Sequence, residues 1–107
     1  MRQSKRKALE SKGWKLGSAA EFLDLSDEEI ALIELKIALG NALKQRRQKK
    51  RLTQKAAAKA IASSQSRVAK MEAGDPSVSI DLLVKSMFTL GASRKDVAKA
   101  IASKLAA

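Results

Sequence analysis

At 107 residues the chain has length for one small domain, and 45% apolar content against 3% aromatic gives that domain an aliphatic core. With no cysteine and no histidine it forms no disulfide, no thiolate or histidine metal site and no histidine acid–base pair. The formal charge of +11 asks for a polyanionic partner.

Residues 1–20 are rich in Lys, Arg, Ser and Gly without a sustained period and are read as a flexible basic tail. The charged start, Met1 to Lys7, leads into no apolar run, and no stretch is long enough to span a bilayer. A cytoplasmic protein with no membrane partner is expected. The folded domain is expected over residues 21–107.

Ser26-Asp27-Glu28-Glu29 is a capping box, so a helix should start there and run to about Lys50. Its apolar residues form two stripes: Ile30, Ile33 and Ile37, and Leu32, Leu35, Leu39 and Leu43. A surface helix of a monomer needs only one, so the excess predicts that another chain covers part of its first half. Two short helices follow, over about Thr53–Ile61 and Gln65–Ala73. Gly74 suits a left-handed helix end, and Pro76 prevents continuation. Ser79 can cap a fourth helix carrying Ile80, Leu83, Val84, Met87 and Leu90, stopped by Gly91. Ser93-Arg94-Lys95-Asp96 opens a fifth with Val97, Ile101 and Leu105 on one side. No segment alternates as a strand does, and the fold class is all-α with five helices.

The second and third helices, joined by about three residues, have helix-turn-helix spacing. A close crossing needs a small side chain, and Ala58 supplies it. Ile61, Val68 and Met71 should face inward, and Ser64 can cap the third helix. At about 100° per residue, Ser66, Ala69, Lys70 and Ala73 then project outward, with Gln65 in the exposed first turn. Gln can pair with adenine, Lys can reach guanine and Ala can touch a thymine methyl, so this face suits a DNA major groove. Between Leu35 and Met71 stand eleven Lys or Arg and no acid, Lys55, Lys59 and Arg67 among them. From Glu21 to Glu34 there are six acids and no base.

Leu52-Thr53-Gln54, Ala58, "SSQSRVAKMEAG" and "SVSIDLLVKSMFTLGAS" resemble the Xre/phage-repressor family of helix-turn-helix proteins. With the acidic "LSDEE" lead-in and the short helix after "LGAS", the pattern over residues 22–102 is similar to HigA-type antitoxins. The resemblance implies a lambda-repressor-like domain that binds double-stranded DNA as a homodimer on an inverted-repeat operator. It further implies that Gln54 contacts a phosphate and that Gln65, Ser66 and Lys70 read bases. Arg47 and Glu72 match a pair bridging the first and third helices. The family often has Gly where Arg51 stands, Leu where Ala57 stands and Gly-Val where Ala62-Ser63 stand. These departures imply a harder left-handed helix end, a thinner core and a less permissive turn.

No spacing of acids defines a catalytic pair or a metal site, so neither enzyme activity nor a cofactor is expected. The reading favoured is an antitoxin that represses its own operon and neutralises a RelE/HigB-type RNase toxin. A stand-alone repressor and a non-specific bridging or coactivator protein are the alternatives. Capping explains Asp27, Glu28 and Glu29 but not Glu21, Asp24 and Glu34. Those three acids, with Ile30, Ile33 and Ile37, are expected to contact the toxin or a second copy of the chain.

Overall fold

The computed structural model describes residues 24–103, within which five α-helices and no strand are found. They are α1 (Asp27–Lys49), α2 (Gln54–Ile61), α3 (Gln65–Ala73), α4 (Ile80–Thr89) and α5 (Arg94–Ala102). The expected order starting at Glu21 and the tail over residues 1–20 lie outside the described residues.

Each helix starts on a hydroxyl that accepts a hydrogen bond from the backbone N–H three residues on: Ser26, Thr53, Ser64, Ser79 and Ser93. At Ser26 and Ser93 the reciprocal bond is present as well, from the cap N–H to Glu29 at 2.9 Å and to Asp96 at 2.8 Å. These bonds from Ser26 hold the Glu29 carboxyl below its usual value, and those from Ser93 do the same for Asp96. Both caps were legible as sequence spacing alone.

α1 is the spine. It packs on α3, α4 and α5, and its Leu39 and Leu43 are fully buried among Val68, Met71, Leu83 and Met87. Gly40 is what lets α3 come so close. A Cβ there would lie 2.4 Å from the Met71 carbonyl oxygen and 3.0 Å from that of Glu72, both backbone atoms that cannot swing away. Gly40→Ala is therefore expected to destabilise by about 1–3 kcal/mol, as overpacking does, although alanine is the better helix former by about 1 kcal/mol. A urea midpoint at or above that of the parent would show that α1 and α3 do not cross there.

Two non-glycine residues at helix ends adopt left-handed backbone. Arg51 has φ +58° after α1 and Ala62 has φ +61° after α2. These are the positions where the resembled family often carries glycine. The turn geometry is kept and the side chains bear the strain, about 1–2 kcal/mol each. Gly74 ends α3 at φ +68°, as its spacing predicts, and the bare backbone there lies against Ile37.

The two apolar stripes of α1 do not behave as the sequence suggests. Ile30 is only 6% exposed, so it is withdrawn from any docking surface, contrary to the expectation that it contacts a toxin or a second copy. Ile37 is half-buried against Gly74, and Ile33 is half-buried too. Leu32, grouped by its spacing with Leu35, Leu39 and Leu43, is 46% exposed. The first turns of α1 lie beyond the main core cluster, which buried Ile30 does not join. The small residues behave as expected: Ala57 and Ala58 are both buried where α2 meets its neighbours.

Candidate nucleic-acid interface

α2 and α3 form the helix-turn-helix. Val68 and Met71 point inward at 1% and 0% exposure, and Ile61 is half-buried against the same core. That fixes the rotation of α3. Gln65, Ser66, Arg67, Lys70 and Ala73 are exposed, while Ala69 is half-buried and offers only part of its methyl to a ligand. Lys55 and Lys59 are exposed on α2.

The front of α3 is not flat. Ser64, Ser66, Arg67 and Lys70 meet Ser77 and Val78 of the α3–α4 loop around a cleft of about 240 Å³. The Ser64 hydroxyl accepts from Arg67 N–H at 3.2 Å and lies 3.2 Å from the Ser66 hydroxyl. The loop wall is held from two sides. Lys36 of α1 donates to the Pro76 carbonyl at 2.9 Å, and Ser77 N–H donates to the Asp75 carboxylate at 2.8 Å. Hydrogen bonds from Ser77 hold the Asp75 carboxyl below its usual value, and the charges of Lys70 and Lys36 add to the effect. Two cations and three hydroxyls around a concave surface suit an anionic oxygen such as a backbone phosphate. Ser77 carries no sequence signal for this role, because only the fold of the loop brings it to α3.

Behind the motif, one carboxylate ties three helices together. Glu72 Oε2 accepts from Arg47 Nε at 2.5 Å, and its Oε1 accepts from Arg47 and from Gln54 Nε2, each at 3.1 Å. The same guanidinium donates to the Leu52 carbonyl at 2.8 Å, fixing the α1–α2 turn. The Arg47 and Glu72 side chains are 12% and 4% exposed. The pair implied by the resemblance is thus present, and Gln54, expected at a phosphate, has its amide nitrogen on Glu72.

The acid-free run of sequence is not acid-free in space. Arg47 is paired with Glu72, and Arg46 is paired with Asp96 of α5 at 2.8 Å, across a separation of fifty residues that no local pattern could reveal. Lys36 is occupied at Pro76, Lys49 lines a groove against α5, and Lys50 lies over Gly91. Six other cations of the run stay exposed: Lys44, Arg51, Lys55, Lys59, Arg67 and Lys70. The acidic candidates fall elsewhere. Asp24 is exposed and Glu34 half-buried on the first half of α1, whereas Glu21 lies outside the described residues.

Among the described residues no helix is long and apolar enough to cross a membrane, and no group of three or more metal-ligating side chains is placed to hold an ion. No curated protein and no solved structure matches the chain. The sequence profile of the helix-turn-helix domain does match, over residues 38–100, from the middle of α1 to the second half of α5 and including the whole α2–α3 motif. With its capped α2–α3 pair, its outward-facing α3 and more than half its length matched, the chain belongs to the Xre-like helix-turn-helix family of DNA-binding regulators.

Proposed function

We propose that the protein is a sequence-specific transcriptional repressor that works as a homodimer on an inverted repeat. The observation that carries this reading is the α3 surface, which combines base-reading and phosphate-binding chemistry. Gln65, Ser66 and Lys70 are exposed on one face, beside a cleft with Arg67 and three serines. In this reading Gln65 and Lys70 contact base edges, Arg67 and Ser77 hold a phosphate, and Lys55 and Lys59 contact the flanking backbone. Gln65→Ala or Lys70→Ala should then weaken the preferred site by about 1–3 kcal/mol and relax one base pair of the selected site. Lys55→Ala or Lys59→Ala should weaken all sequences alike. A selection-derived binding site unchanged by Gln65→Ala would overturn this docking.

Within that reading, the role favoured is that of an antitoxin. It rests on the first half of α1, where exposed Leu32 lies one helical turn on from Glu28 and Glu29, both exposed. Acids there would repel phosphate, so this end has no use at DNA. An apolar side chain beside two carboxylates suits a small basic protein such as a RelE/HigB-type RNase, with charge steering the encounter and apolar contact holding it. Co-expression with the adjacent reading frame should yield a small basic protein that co-elutes and whose RNA cleavage this chain suppresses. If the neighbouring product neither co-elutes nor harms cells when expressed alone, the stand-alone repressor is the better description.

A further inference from the structure

Lys50 lies over Gly91 and Arg46 meets Asp96, so α5 runs back along α1. The two helices leave a groove of about 500 Å³ between them. Small-molecule sites span about 300–1,000 Å³, a range that takes in this groove but not the 240 Å³ cleft at α3. The groove is amphipathic. Half-buried Ala42 forms its apolar floor with buried Ala38, Met87 and Ala100. Its charges are three cations, Arg46, Lys49 and Lys99, against one carboxylate, Asp96.

Asp96 is already satisfied. Its Oδ2 accepts from Arg46 Nη2 and from the Ser93 N–H, each at 2.8 Å. Arg46 is held by that contact but not used up. A guanidinium carries five N–H donors, and Asp96 engages Nη2 alone. The Arg46 side chain lines the groove at 23% exposure, so the rest of its fork is within reach of a ligand. Because Asp96 fixes its direction, an anion binding there orders little that is not ordered already. Exposed Lys49 and Lys99 add charge from the two walls, and their stems add apolar surface. Arg47, the next residue of α1, is spent on Glu72 of α3, so the groove and the motif draw on different side chains.

We propose that the α1–α5 groove binds a small amphipathic anion, with its head on Arg46, Lys49 and Lys99 and its uncharged, apolar body along Ala42. Charge and form together choose this occupant. A bare inorganic anion would leave the apolar floor uncovered, and an uncharged apolar molecule would leave the guanidinium unused. A carboxylate and a phosphate monoester present the same chemistry at the head, since each accepts paired N–H groups from a guanidinium. The site stands apart from α3 and does not rest on the repressor reading.

Isothermal titration calorimetry of the full chain with decanoate and with decyl phosphate, each below its micellar concentration, tests this and tells the two heads apart. At least one of them should bind saturably. Inorganic phosphate, the head alone, and decanol, the body without charge, should each bind at least about tenfold more weakly. Arg46→Gln and Lys99→Glu should each weaken the amphiphile by about tenfold or more through lost charge. Ala42→Leu, which fills the groove and leaves its charge alone, should do the same. Lys85→Glu makes the same change of charge as Lys99→Glu, but on α4 outside the groove, and should leave affinity unchanged. Circular dichroism separates a lost site from a lost fold, and exposed Lys99 carries the test if Arg46→Gln unfolds the chain. No saturable binding, or binding that Ala42→Leu and Lys99→Glu leave intact, would overturn the proposal. So would inorganic phosphate binding as tightly as decyl phosphate, which would make this a plain ion site. A parent that sediments as a dimer while Ala42→Leu sediments as a monomer would overturn it too, by giving the groove to a second copy.

Discussion

The affinity of one chain for a single DNA half-site should fall about a thousandfold between roughly 50 and 200 mM salt. The expectation rests on six cations, Lys44, Arg51, Lys55, Lys59, Arg67 and Lys70, which are exposed and not engaged by the ion pairs, the loop contact, the groove or the approach to Gly91 that occupy their neighbours. Each one set against a phosphate releases condensed counterions, at a slope of about −0.9 per contact on logarithmic axes. Six contacts over a fourfold change in salt amount to about three decades, or roughly 4 kcal/mol, for one chain on one half-site. The eleven cations counted along the sequence would predict a far steeper loss. Fluorescence anisotropy against salt distinguishes the two, and a flat response would remove DNA as the partner of this surface.

Glu72→Ala should cost about 3–5 kcal/mol of stability and abolish operator binding with it. Removing one member of a buried ion pair leaves the other charge without compensation. Here that charge is Arg47, whose side chain is 12% exposed. The loss reaches further than a pair, because the same carboxylate also holds Gln54 at the start of α2. The angle between α2 and α3 and the position of the α1–α2 turn both depend on it. The double change Arg47→Met, Glu72→Leu removes both charges together and should be far milder than the sum of the two single changes. Chemical unfolding of the four proteins measures the coupling. A single variant as stable as the parent would mean that the network does not organise the motif.

Whatever depends on neighbours a few residues apart can be read directly along the chain. Both capping boxes, all five helices and the left-handed end at Gly74 follow from contacts within one turn, and spacing records such contacts directly. Most of the outward face of α3 is legible for the same reason: once Val68 and Met71 are set inward, helical period places Ser66, Lys70 and Ala73, while Ala69 is half-buried. Which charges remain available is set by long-range packing instead. The Arg46–Asp96 pair and the Ser77 wall of the cleft each depend on segments that meet through packing alone. The exposure of Leu32 follows from how far the core extends along α1, which helical period does not set. Gly40 shows the boundary most sharply. In sequence it is a helix-weakening glycine in an otherwise regular α1, and its role becomes visible only when the Met71 carbonyl of α3 stands where its Cβ would be.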